Sequence, residues 1–365
     1  MVKRGGQKTL FSTIVFLLVL SILVIIHEFG HFIAAKRQGV RVEKFSLGFG
    51  PKLFGVKRGD TEYAISLIPL GGYVKMAGDE PSSAKGESCE FLSKSVWQRF
   101  KIIFAGPLLN YLLGFLLFWF VFFAGAPTAT NKIGTLLDNY PAKAAGLQAG
   151  DNIVAVDGKA TKYWEDLTDI IHNKKEGNLN ITVERKTASG AKTLQIKIAP
   201  VRKEFTDIFG KRQSISLIGV APSGEAVSVR YGFFDSFFRA AGQIYKLTEI
   251  TFKSLLFIST GKMSVKESFT GPIGIFIITS KAAQMGIIYL LQMMAILSAS
   301  LAIFNILPIP VLDGGHILFL IIEKIRGKAL SAKFQEIATQ TGMTLLVALM
   351  LFVFYSDIIR FILKK

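Results

Sequence analysis

At 365 residues the chain has room for two or three modest domains, and half of it is hydrophobic, with a mean hydropathy of +0.43. That excess excludes an ordinary soluble chain. It is concentrated in four uncharged runs, at 10–26, 102–126, 282–312 and 337–356, each near or above the roughly 18–20 residues that cross a bilayer core. The net charge of +17 does not signal nucleic acid, because no basic run with interleaved aromatics and no zinc-finger spacing accompanies it. Basic loops against an anionic membrane surface account for it, which makes the lipid bilayer a partner. A single cysteine, Cys89, excludes an internal disulfide and a Cys-based zinc site.

Residues 1–38 form the first predicted transmembrane helix. Lys3, Arg4 and Lys8 before an apolar run are reminiscent of a signal peptide, but the run is long for one and no small-residue cleavage site follows. The run ends in His27-Glu28-Phe29-Gly30-His31. Four residues apart on a helix, His27 and His31 share one face, the spacing that holds one zinc ion with two imidazoles. Glu28 lies about 100° round the helix, where a carboxylate takes a proton from zinc-activated water. Ionisable groups in a membrane-length segment cost roughly 2.5 kcal/mol or more near the bilayer centre, so they mark function.

Residues 39–96 are expected to form a cytoplasmic-side loop. It carries Lys36, Arg37, Arg41, Lys44, Lys52, Lys57 and Arg58 around its start, against three basic residues before the first helix. Stretches 45–50 and 61–76 read as strands, with Tyr63, Ile65 and Leu67 alternating and Gly71-Gly72 marking a turn or bulge. Two readings stand for this membrane-associated β-hairpin region: an edge strand that captures extended substrate, or a plain cap on the membrane domain. The second span, 97–127, contains Gly106 and Pro107, which permit close helix approach and a bend. It also contains Asn110, which needs a polar partner in apolar surroundings.

From 128 to 203 the composition is that of a soluble α+β domain. Strands at 133–136, 179–185 and 192–198 and a helix at 164–172 frame the segment AAGLQAGDNIVAVDG, which resembles a circularly permuted PDZ domain. Such domains bind an extended peptide or carboxyl terminus beside a sheet edge. His172 reads as an ordinary surface residue of this domain. In the connector, 204–281, aromatic and basic residues at helical spacing in 231–258 suit an interfacial amphipathic helix. Segment 268–280 is apolar but short, and reads as re-entrant or interfacial.

The third span, 282–316, ends in NILPIPVLDGGH, where Pro308 and Pro310 cannot continue a helix. Asp313 at this break is the third zinc ligand, completing the three-protein-ligand pattern of catalytic zinc with His27 and His31. His316 competes for that role, but the trio is complete without it. Residues 317–365 supply a basic loop and the fourth span. The predicted fold is a multi-pass α-helical membrane protein of four transmembrane helices, with the β-hairpin region and one inserted extracytoplasmic PDZ-like domain.

HEFGH, FSLGFG, IPLGGYVKM, FAGPLLN and NILPIPVLDGGH, in this order around a PDZ-like domain, resemble the bacterial site-2 proteases, most closely the regulator-of-sigma-E group. The similarity covers essentially the whole chain. It implies an intramembrane zinc metalloprotease of the bacterial cytoplasmic (inner) membrane, with the active site near the cytoplasmic face. It implies that His27, His31 and Asp313 bind Zn2+, that Glu28 is catalytic, and that Asn305, with Pro308 and Pro310 of NxxPxPxLDG, holds substrate backbone. The implied substrates are single-pass membrane proteins, among them anti-sigma factors and remnant signal peptides. The best-known sigma-E regulators carry two tandem PDZ domains, whereas residues 126–231 leave room for one. A peptide-binding scaffold and a transporter are the rival classes. The intact Glu28 with the distant Asp313 disfavours the first, and the lack of an inverted repeat the second.

Overall fold

The computed structural model describes residues 2–80, 84–187, 190–206, 212–264 and 269–363. They fall into two compact units: Met1–Val121 with Phe234–Leu255 and Ser264–Lys365, and Phe122–Phe233 with Leu256–Met263.

The first unit opens with helix α1 (Val2–Arg37). It stops at Gly39, whose φ of +69° is the left-handed conformation that terminates helices, with Lys36 and Arg37 against the negative end of the helix dipole. Strands β1 (Val42–Arg58) and β2 (Thr61–Met76) follow, antiparallel and each bent in the middle. The first half of β1 pairs on both sides, Ser46 facing Ala64 and Tyr73, while the second half pairs Lys57 with Glu62. Two long strands thus make a four-stranded arrangement in which 72–76 is an edge. The bend requires Gly48: its φ is +87°, and a Cβ there would lie 2.5 Å from the Ile68 carbonyl oxygen. Helix α2 (Val96–Ala124) then crosses α1 at Gly30, where a Cβ would meet the Ala105 carbonyl oxygen at 2.3 Å. Ala35, Val40, Val42 and Ile102 form the core that joins helix pair and sheet.

The second unit contains β3 (Ala126–Ala129), β4 (Ile133–Leu136), α3 (Pro141–Ala144), β5 (Asn152–Val156), β6 (Lys159–Ala160), α4 (Trp164–His172), β7 (Leu179–Thr187), β8 (Gly190–Ile198), β9 (Val201–Thr206), β10 (Arg212–Leu217), β11 (Val220–Pro222) and β12 (Ala226–Val229). A four-stranded sheet in the order β6-β5-β7-β8 packs its apolar face on α4, with Ile153, Leu167, Leu179, Ile181 and Val183 fully buried. Asp151, completely buried, holds Arg185 through two hydrogen bonds of 2.7 and 2.8 Å. The boundary expected at 203 falls inside this unit. Strands β11 and β12 return to pair with β4 and β3, and such short, distant pairings leave no local alternation to read.

Helix α5 (Phe233–Ser259) is amphipathic, with Phe234, Phe238 and Tyr245 about 70% exposed. Helix α6 (Pro272–Met285) has 14 residues, about 21 Å at 1.5 Å each, too short to span a bilayer core. Buried Asp357 satisfies its first turn, accepting from the backbone N–H groups of Gly271 and Gly274. Helix α7 (Ile287–Asn305) breaks at the prolines, α8 (Asp313–Arg326) restarts, and α9 (Ala332–Ile358) follows, capped by the Ser331 hydroxyl. Among the described residues, four helices are long and apolar enough to cross a membrane, namely Thr9–Arg37, Val96–Ala124, Ile287–Asn305 and Ala332–Phe361.

Candidate metal centre

His27 and His31 leave α1 on the same face, and Asp313 arrives as the first residue of α8. Their ligand atoms lie within 4.8 Å of one another. The Nε2 atoms of the histidines are 3.2 Å apart, and Asp313 Oδ2 lies 3.1 Å from His27 Nε2 and 3.6 Å from His31 Nε2. Three ligands about 2.0–2.1 Å from one tetrahedral ion sit about 3.3 Å apart. The donor set therefore fits zinc in both type and spacing. His31 Nδ1 donates to the Ile102 carbonyl oxygen at 2.9 Å, which leaves Nε2 as the free lone pair facing the other two donors. All three residues are largely shielded from solvent, and pairing with one another would leave like nitrogens in contact.

Glycine makes the space. A Cβ on Gly106 of α2 would lie 2.2 Å from His31 Nε2, in the region a bound ion needs. Gly314 and Gly315 do the same for the third donor, since a Cβ on either would strike the Ile306 or Ile309 carbonyl oxygens at 2.1 and 2.2 Å. The chain can thus turn out of α7, past the prolines, and start α8 at once on Asp313. Sequence reasoning anticipated close approach at Gly106 but gave no part to Gly30, Gly314 or Gly315. Repeated small residues at the predicted break were the available signal.

The trio opens on a cavity of about 350 Å³, which Glu28, Tyr73, Val74, Asp79 and Asn305 also line. Glu28 lies against β2, its Cγ 3.3 Å from where a Cβ on Gly72 would be. The 72–76 edge therefore passes directly beside the three donors. Asn305 is at the cavity, as the last residue of α7. Pro308 and Pro310 do not line it; Pro310 packs instead beneath Gly342 of α9. His316 faces a different cavity. Asp79, which no motif marked, does face the site, and its burial pushes its carboxyl above the usual range. In the second unit, His172 is half-buried and lines a smaller groove of about 190 Å³ with Trp164, Leu167, Ile218 and Gly219.

The model of peptidase family M50 matches residues 15–349. A candidate zinc metalloprotease of Agrobacterium fabrum is 34% identical over 361 residues, 94% of each chain. The regulator of sigma-W protease RasP of Bacillus subtilis is 30% identical, over 96% of this chain and 98% of its own. The zinc metalloprotease RasP of Bacillus licheniformis is 29% identical, over 96% and 99%. With the family matched over nearly its whole length, and with a His-His-Asp group fit for zinc among four membrane-length helices, this chain belongs to peptidase family M50 and is a zinc metalloprotease of the membrane.

Proposed function

We propose that this protease hydrolyses peptide bonds inside the transmembrane segments of single-pass membrane proteins, with anti-sigma factors and remnant signal peptides as the substrate class. The observation that carries this reading is the convergence of His27, Glu28 and His31, inside a membrane-length helix, with Asp313 on one cavity beside the 72–76 strand edge. In it, His27, His31 and Asp313 hold zinc, which supplies Lewis acidity for water and for the scissile carbonyl. Glu28 takes the proton of the attacking water and returns it to the leaving amine. The 72–76 edge pairs with the unwound substrate, and the Asn305 amide, which lines the same cavity, hydrogen-bonds its backbone. A transmembrane helix has satisfied all its backbone groups internally, so it must unwind before cleavage, and an edge strand offers replacement partners.

The membrane in question is the bacterial cytoplasmic membrane. The excess of Lys and Arg in 39–96 supports a cytoplasmic side for that loop and the active site, and an extracytoplasmic one for the PDZ-like domain. That unit is read as a PDZ-like domain whose groove, between α4 and the 217–222 segment, takes an extended peptide or carboxyl terminus or limits access by size. The experiment is cleavage by the purified full chain of a single-pass model substrate, with and without helix-breaking residues at the scissile position. Cleavage should be lost with a chelator, restored by zinc and faster with the helix breakers. Zinc-independent cleavage overturns the metal site, and indifference to helix breakers overturns strand capture.

A further inference from the structure

On α9, Gln335, Glu336, Thr339, Gln340 and Thr344 recur at three- and four-residue spacing, so one face of the first half of a membrane-length helix is polar. The helix meets the segment before Asp313 at Gly342, where a Cβ would lie 3.1 Å from Val311 and 3.4 Å from Pro310. From Ala332 to Thr344, on both sides of that contact, this face walls a cavity of about 940 Å³. This is at the large end of ligand clefts, which run roughly 300–1,000 Å³.

The other walls are Asp79, Glu80 and His316. Asp79 also lines the catalytic cavity, so the two spaces adjoin. The 72–76 edge leads from one to the other: Asp79 stands three residues beyond Met76, the end of β2, and accepts the Met76 backbone N–H at 3.1 Å. A chain paired along 72–76 advances about 3.3 Å per residue and, continuing in that direction, leaves the catalytic cavity past Asp79. In a protein of net charge +17, no Lys or Arg among the described residues lines this vestibule, while two carboxylates held by neutral donors do: Asp79, which accepts the Met76 backbone N–H, and Glu336, which accepts from the Gln340 amide.

We propose that the vestibule is a binding subsite for the basic flank of the transmembrane substrate. Its ligands are the Lys and Arg residues that adjoin the substrate's membrane segment on the side where the catalytic cavity opens. Single-pass proteins carry an excess of these residues on the cytoplasmic flank. Polar side chains that would be costly against lipid are instead covered by a charged, hydrated chain. The subsite rests on the reading of this enzyme as an intramembrane protease, and it adds a charge filter to the strand edge: the edge accepts any unwound backbone, and the vestibule selects by the charge of the adjoining flank.

The test uses the zinc-loaded full chain in liposomes and three single-pass substrates that differ only in a Lys-, Gln- or Glu-rich flank. Wild type should show its lowest KM for the Lys flank. Glu336→Lys should raise that KM by about tenfold and lower the KM for the Glu flank, as reversal of one ion pair predicts, with the change in KM rather than kcat. Zinc content is measured for each variant; should Glu336→Lys lose its metal, Gln340→Lys on the same face makes the same comparison. Equal KM for all three substrates in wild type, or equal impairment of Lys- and Glu-flanked substrates by a zinc-loaded variant, overturns the subsite alone. Failure of wild type to cleave any of the three overturns the intramembrane-protease reading itself.

Discussion

Gly106 of α2 and His31 of α1 lie so close that a Cβ on the glycine would be 2.2 Å from the imidazole Nε2. No side chain other than hydrogen fits there without displacing the histidine. Gly106→Ala is therefore expected to weaken zinc binding by about 10–100-fold, the range seen when a ligand's support is disturbed, while the protein still inserts. Metal analysis of the purified variant checks this, and full zinc occupancy would contradict the geometry.

Arg99 at the start of α2 forms a nearly buried ion pair with Glu323 of α8, and Arg99 also donates to the Lys94 carbonyl oxygen. Three residues after Arg99, the Ile102 carbonyl holds His31. Thus α2 fixes both the helix that begins with Asp313 and one of the histidines. Removing one partner leaves a buried charge, so Arg99→Ala is expected to cost about 3 kcal/mol, read as a lowered unfolding midpoint in detergent. The swap Arg99→Glu with Glu323→Arg should recover part of the loss. A neutral single variant would show that the pair does not brace α8.

Glu90 is almost fully buried, and its carboxylate accepts backbone N–H bonds from Lys85, Gly86 and Glu87. These donors hold its pKa below the ordinary value of 4.5. A depressed folded pKa gives stability that is fully present above the unfolded value and is lost as pH falls through the folded one. Protection of the amides across 85–90, their exchange rate relative to the unstructured chain at the same pH, should therefore be constant from neutral pH to about 5 and fall in stronger acid. Glu90→Gln should show the lower protection already at neutral pH.

Much of this architecture is legible in the sequence because membrane helices and metal motifs are local patterns. The helices at 164–172 and 233–259, the strands of the hairpin, and the break at Pro308 and Pro310 follow from periodicity, charge and proline chemistry. The metal trio could be read because His27 and His31 lie one turn apart and Asp313 is the acidic residue at the span broken by two prolines. What could not be read depends on pairings distant in the chain. The double pairing of β1 with both halves of β2, which turns a hairpin into a sheet with an edge at Glu28, has no periodic signature. Nor does the return of β12 to β3, which carries the second unit past residue 203. Asp79 was missed because a lone acidic residue after a strand looks like any turn carboxylate. Only the fold brings it to the site.

The most direct measurement is made on Glu28→Gln, which preserves the shape of the side chain and removes its proton acceptor. The purified variant should hold as much zinc as wild type through His27, His31 and Asp313, and should cleave a single-pass substrate at least ~100-fold more slowly, the scale of lost general acid–base catalysis. Cleavage at the wild-type rate with zinc in place would contradict the role given to Glu28 and the mechanism built on it.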